Sequence, residues 1–182
     1  MTPTYRALAE QVSHHPPITA LHCQGEGYTW TKTNDFKLKF TGKAILAIEE
    51  NSVFVKLYPV CKKKEAKNYE DYIFSANKTY IGNLLIGDTY IEPQGISTVV
   101  NHDTGDKCEI DYKIRGWSGK NKEAIHGIVK NAQGQAKYHI TGRYSENFML
   151  KNLETGEEKE IWRAPEYPEN HLLMYGMSSF SL

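Results

Sequence analysis

The stretch Ile-Thr-Ala-Leu-His-Cys-Gln-Gly-Glu-Gly-Tyr-Thr-Trp-Thr, residues 18–31, shows in miniature how the chain folds. Two runs rich in apolar, β-branched and aromatic residues, Ile18–Cys23 and Tyr28–Thr31, flank the polar connection Gln-Gly-Glu-Gly. Such runs favour extended backbone, and glycines in a short connection favour a tight hairpin turn. The stretch therefore predicts two antiparallel strands.

The same arrangement recurs along the chain. Phe36–Phe40 alternates apolar and basic residues, the period of two that is typical of a half-buried strand. Further strand candidates are Ala44–Ile48, Val53–Leu57, Tyr80–Ile86, Thr89–Glu92, Cys108–Ile114, Ile125–Lys130, Ala136–Thr141 and a last run ending at Ile161–Trp162. Neither a long helical stripe nor a strand–helix–strand pattern is visible. We predict an all-β antiparallel meander, as a sandwich or barrel, in a single domain over residues 1–182.

Composition narrows the functional classes. Lys+Arg and Asp+Glu are both 22 in the 182 residues, so net charge does not indicate a nucleic-acid-binding protein. Cys23, Cys61 and Cys108 are widely spaced, which favours reduced thiols over a disulfide framework or a zinc site. The sequence has neither the apolar core of a signal peptide nor a run long enough to span a membrane. We therefore expect a soluble, cytoplasmic protein.

The most unusual motif is Ser13-His14-His15-Pro16-Pro17. Adjacent residues of a strand point to opposite faces, which argues against a metal shared by His14 and His15. Catalysis by Ser13 with a neighbouring histidine is also disfavoured, since catalytic triads are assembled from distant positions and no nucleophile elbow is present. The sequence thus predicts no metal, no cofactor and no catalytic residue.

Two readings of the motif remain open. The prolines restrict the backbone, so a rigid strand end could aim both imidazoles outward. Imidazole and a phosphate monoester both change charge near neutral pH, and the charged forms of the two groups stabilise each other. His14 and His15 could therefore bind a phosphate, or they could be surface residues of a plain Pro-Pro turn.

Residues 10–20 resemble the fingerprint of the oxysterol-binding protein family at every position. Their sequence is Glu10-Gln11-Val12-Ser13-His14-His15-Pro16-Pro17-Ile18-Thr19-Ala20. Three further segments are also similar to that family: Arg115–Lys120 (Arg-Gly-Trp-Ser-Gly-Lys), Ile161–Trp162 and Tyr167–His171. The resemblance therefore covers nearly the whole chain. It implies part of a large, incomplete antiparallel β-barrel with a lipid tunnel. The lid, the early strands and the C-terminal helical part of the family domain have no counterpart in residues 1–182.

The resemblance also implies a function. Family members exchange sterol or phosphatidylserine for phosphatidylinositol 4-phosphate between membranes without chemistry on either lipid. The paired histidines of the family bind the headgroup phosphate, a role that falls on His14 and His15 here. We expect a non-enzymatic lipid-transfer protein that is peripheral at membrane contact sites, with membrane lipids and an anionic membrane surface as partners and no nucleic acid. The alternative is a truncated, β-rich protein-interaction fragment without transfer activity.

Two groups of lysines are candidates for membrane docking. Lys37 and Lys39 share one face of the predicted strand Phe36–Phe40, while Phe36, Leu38 and Phe40 share the other, which we expect to face the interior. Lys62, Lys63 and Lys64 form a basic run between strands. Lysines near an anionic bilayer each add about 1 kcal/mol of attraction, but solvated surface positions are the simpler interpretation of both groups.

Overall fold

The computed structural model describes residues 5–58, 68–116 and 118–174. These residues contain fourteen β-strands and a short 3-10 helix, His171–Met174. The strands are β1 (Tyr5–Ser13), β2 (Ile18–Gly25), β3 (Tyr28–Asn34), β4 (Phe36–Phe40), β5 (Ile45–Glu49), β6 (Val53–Leu57), β7 (Glu70–Phe74), β8 (Lys78–Gly82), β9 (Tyr90–Asn101), β10 (Lys107–Tyr112), β11 (Ala124–Lys130), β12 (Ala136–Arg143), β13 (Asn147–Asn152) and β14 (Glu158–Arg163).

All the strand pairs are antiparallel. The main path runs β1-β2-β3-β6-β7-β9-β10-β11-β12-β13-β14, and the strands β4, β5 and β8 form a side branch that joins at β9. Strand β9 serves both parts: Tyr90–Gln94 pairs with β8 and Gly95–Val100 pairs with β10. Gly95, with φ of 92°, stands where the partner changes, a backbone conformation that glycine adopts without steric cost.

The pairing register assigns the side chains to two faces. Five residues on five neighbouring strands lie directly opposite one another and therefore share a face: Cys23, Trp30, Val55, Tyr72 and Asn101. Ser97 and Ile125 belong to the same face through their partners in β10 and β11. Cys23, Ser97, Asn101 and Ile125 are all buried. We call this the buried face of the main sheet.

The opposite face, which we call the exposed face, carries large apolar side chains in contact with solvent. Leu8, Phe54 and Ile96 are 66%, 55% and 63% exposed. Among the described residues, the buried apolar side chains are those of Cys23, Ala44 and Ile125. The sheet is therefore an open, thinly covered layer rather than a closed two-layer core.

The predicted fold class is confirmed, and most predicted strands are present. Three strands were not among the predicted runs: β1, whose Ala- and Glu-containing sequence has no clear strand signal, β7, which opens with Glu70-Asp71, and β13. The predicted strand Tyr80–Ile86 ends early, since β8 stops at Gly82. The apolar residues of β4 do not face an interior, because Phe36, Leu38 and Phe40 are 48%, 63% and 66% exposed.

One buried ion pair joins β9 to the segment after β10. Arg115 Nη2 lies 2.6 Å from Glu92 Oε1, and the Glu92 side chain is 4% exposed. The guanidinium carbon of Arg115 also lies 4.3 Å from the centre of the Tyr90 ring. Burial, with Glu92 as the next contributor, raises the pKa of nearby Tyr144 to about 12. The Glu92 carboxylate therefore depends on Arg115 for charge compensation.

We expect the Arg115→Met variant to lose about 3–5 kcal/mol of unfolding free energy, because it leaves a carboxylate buried without its partner. The matched control is Arg143→Met, whose partner Glu146 is 60% exposed, and it should lose less than about 1 kcal/mol. Urea denaturation monitored by tryptophan fluorescence measures both values. Equal losses in the two variants would contradict a structural role of the buried pair.

Candidate functional site: the His14–His15 turn

The paired histidines lie in the turn between β1 and β2. Ser13 pairs with Ile18, so residues 14–17 form the connection, and a register shift between Gln11 and Ser13 precedes it. Both histidines are exposed. Their ring centroids are 4.3 Å apart at an interplanar angle of 47°.

The structure shows that the two imidazole rings adjoin, which the sequence did not determine. Neighbours in a regular strand point to opposite faces, but here the two residues lie beyond the end of the strand and their rings adjoin. Gln11 Nε2 lies 3.5 Å from His14 Nδ1, a contact at the limit of a hydrogen bond. Each imidazole can therefore turn one ring nitrogen toward the same ligand, which suits an anion with several acceptor oxygens.

A groove on the exposed face lies along the same hairpin. It has a volume of about 650 Å³, and its lining includes Leu8 and Glu10 of β1, Ala20 of β2 and Phe54 of β6. Lys32, also in the lining, forms an ion pair of 2.5 Å with Glu49 of β5. The ion pair links the main sheet to its side branch beside the strands that carry the histidines.

The candidate docking lysines differ in their surroundings. Lys37 Nζ lies 2.9 Å from both carboxylate oxygens of Glu50, and its side chain is 72% exposed. The hydrogen bond from Lys37 to Glu50 raises the pKa of the lysine. Lys39 is exposed and has no ion pair within the described ranges. Lys62, Lys63 and Lys64, like Cys61, lie outside the described residues.

The family model described as oxysterol-binding protein matches residues 2–182. The chain belongs to the oxysterol-binding protein family. It is 28% identical over 177 residues to oxysterol-binding protein-related protein 3B of Arabidopsis thaliana, covering 92% of this chain and 36% of that protein. It is 29% identical to human oxysterol-binding protein-related protein 6, covering 98% of this chain and 18% of that protein.

Solved structures of this family share the fold. The Osh1 ORD domain in complex with ergosterol superposes with a TM-score of 0.79 at 25% identity, covering 91% of this chain and 42% of that chain. The Osh3 ORD of Saccharomyces cerevisiae in complex with PI(4)P superposes with a TM-score of 0.78 at 24% identity, covering 97% and 45%. The chain thus spans less than half the length of these oxysterol-binding domains.

Two further findings concern other possible sites. Within residues 5–58, 68–116 and 118–174, no helix is long and apolar enough to cross a membrane. The same residues hold no cluster of three or more His, Cys, Asp or Glu side chains suited to a metal ion. Sequence reasoning missed a second close histidine contact, between His126 and His139, because it depends on the pairing of β11 with β12.

Replacing Glu50 by Gln should lower the pKa of Lys37 toward its ordinary value, because the hydrogen bond and charge that raise it are removed. The ion pair of Lys37 stabilises the folded chain fully at pH values below the pKa of this lysine in the unfolded chain. That stabilisation is lost as the pH rises through the higher pKa of Lys37 in the folded chain. An NMR titration of the lysine side chains measures the change. Lys39 serves as the internal control, and an unchanged Lys37 titration would show that the ion pair does not persist in solution.

Proposed function

We propose that this chain binds membrane lipids and takes part in their non-vesicular transfer, without catalysing a reaction. In this role the chain exchanges a sterol, or phosphatidylserine, for phosphatidylinositol 4-phosphate between membranes that meet at contact sites. The observation that carries it is the exposed juxtaposition of His14 and His15 in a member of a family whose solved relatives hold ergosterol and PI(4)P. Because this chain corresponds to only part of those relatives, we treat residues 1–182 as one partial lipid-binding domain.

The headgroup role of the turn follows from charge and exposure. A phosphate monoester carries close to two negative charges at neutral pH and offers three acceptor oxygens. His14 and His15 can donate to different oxygens of one such group, since their rings adjoin and neither is covered by protein. Ligand binding would not require the turn to open.

The apolar part of a lipid needs a surface of a different kind. A ligand of this type must bury most of its area against apolar side chains to bind with useful affinity. The thin sheet exposes such side chains on the histidine hairpin and near it, among them Leu8 of β1 and Phe54 of β6, which line the same groove. A second, larger cavity of about 1080 Å³ is lined by Tyr80, Tyr90 and Ile114, among others.

We expect the His14→Ala/His15→Ala variant to extract phosphatidylinositol 4-phosphate from liposomes on the order of 100-fold less well than wild type. The reason is the loss of two charge-assisted hydrogen bonds, each about 1.5–3 kcal/mol. Sterol extraction from matched liposomes should be unchanged. His102→Ala, an exposed turn histidine on another hairpin, is the control. Undiminished phosphoinositide extraction by the double variant would remove the headgroup role of this turn.

We further propose that Lys37 and Lys39 help to dock the chain on anionic membranes. Glu50 neutralises Lys37, so Glu50→Gln should strengthen binding to phosphatidylserine-containing vesicles roughly fivefold, about 1 kcal/mol for one released lysine charge. Glu146→Gln, which frees Arg143 on a distant hairpin, is the matched control. Vesicle flotation measures both. A similar gain in both variants would show that net charge, not this strand, determines docking.

A protein-interaction role is the second candidate, and strand β1 favours it. Eight of its nine residues are exposed, and β2 is its only partner among the described residues. Such an edge accepts a strand from another protein. Native mass spectrometry after incubation with mixed liposomes separates the two roles. A bound lipid supports the transfer function, and a lipid-free chain supports the interaction role.

A further inference from the structure

The chain contains a second pair of close histidines, unrelated to the His14–His15 turn. His126 of β11 and His139 of β12 lie on the exposed face, where the register places His126 opposite Thr141 and His139 opposite Ile128. Their Nε2 atoms are 2.5 Å apart, and the rings meet edge to face with centroids 4.2 Å apart. Both residues are half-buried. We call them the cross-strand histidine pair.

The contact restricts the protonation of the pair. Two N–H groups cannot point at each other across 2.5 Å, so at least one Nε2 presents a lone pair toward the other ring. Burial, followed by the neighbouring His139 and Lys113, lowers the pKa of His126. An imidazole with a free Nε2 lone pair is the form that ligates transition metals.

The geometry points to a function for this arrangement. We propose that His126 and His139 form a two-nitrogen binding site for a divalent transition-metal ion of the zinc, nickel and copper group. Metal–imidazole bonds of about 2.0–2.1 Å place two ligating nitrogens about 2.8–3.4 Å apart, depending on whether the site is square or tetrahedral. The two Nε2 atoms need to separate by less than about 1 Å, a small rotation of side chains that are not tightly enclosed.

The surroundings define the kind of site. Asp111 of β10 lies directly opposite His126, and its carboxylate contacts Lys113. Lys151 of β13 lies directly opposite His139. Glu109, two residues before Asp111, bridges Lys107 and Lys130, which holds its pKa at about 2. The carboxylates near the pair are thus already engaged by lysines.

The coordination follows from these neighbours. Since the described residues offer no third ligand in a metal-binding cluster, water fills the remaining positions. A site with two imidazoles and no free carboxylate favours copper, nickel and zinc over calcium and magnesium, which prefer oxygen ligands. Copper should bind most tightly among the three, in keeping with the general order of divalent affinities.

The test is a calorimetric titration of the full chain, without a polyhistidine tag, with Ni²⁺ and with Zn²⁺ in a non-chelating buffer. We expect one ion per chain. His126→Gln and His139→Gln should each weaken binding by roughly tenfold or more, since each removes one of two protein ligands. His102→Gln is the matched control, because it removes an exposed turn histidine that belongs to neither pair, and it should bind as wild type does.

A second measurement uses the wild-type protein alone and so does not depend on whether the variants fold. Substoichiometric Cu²⁺ should broaden the imidazole NMR signals of His126 and His139 before those of the other histidines. The proposal is overturned by unchanged binding in both single variants, or by broadening that begins at His14 and His15. Absence of any binding would show that the pair shares a proton only, and would overturn it as well.

Discussion

The rest of the molecule depends on the pairing of strand β9 with both parts of the sheet. Its first half completes the branch formed by β4, β5 and β8, and its second half carries the main sheet onward to β10. The buried Glu92–Arg115 pair and the buried Ser97 both lie on or against it. Because the sheet is thinly covered, the backbone pairing of this strand and its buried ion pair are what join the branch to the main sheet.

The sequence predicted the fold class well because strand period and hairpin turns are local signals. Phe36–Phe40 and Val53–Leu57 were predicted at their observed bounds. Strand β1 was missed since its extended state depends on pairing with β2, and β7 was missed since its acidic start resembles a loop. Which face each side chain occupies could not be predicted, because parity is settled only when the register across several strands is known.

The candidate site was predictable in part. The His14–His15 motif is a local signal, and a specific resemblance supplied its expected role. Whether the two rings adjoin depends on the turn beyond the strand end, and local sequence does not determine that. The contact between His126 and His139 joins residues 13 positions apart and exists only through the pairing of two strands. The ion pair that neutralises Lys37 is likewise a tertiary contact.

The pairing of β9 with strands of both parts of the sheet also has a consequence for how the chain folds. Hairpins such as β1–β2 and β12–β13 join neighbouring segments, so closing them costs little chain entropy. Pairing β7 with the far half of β9 instead joins Phe74 to Val99, across the β8 segment. Contacts of that separation form slowly. We therefore expect hairpin formation to precede the long-range pairings of β5 with β8 and of β7 with β9.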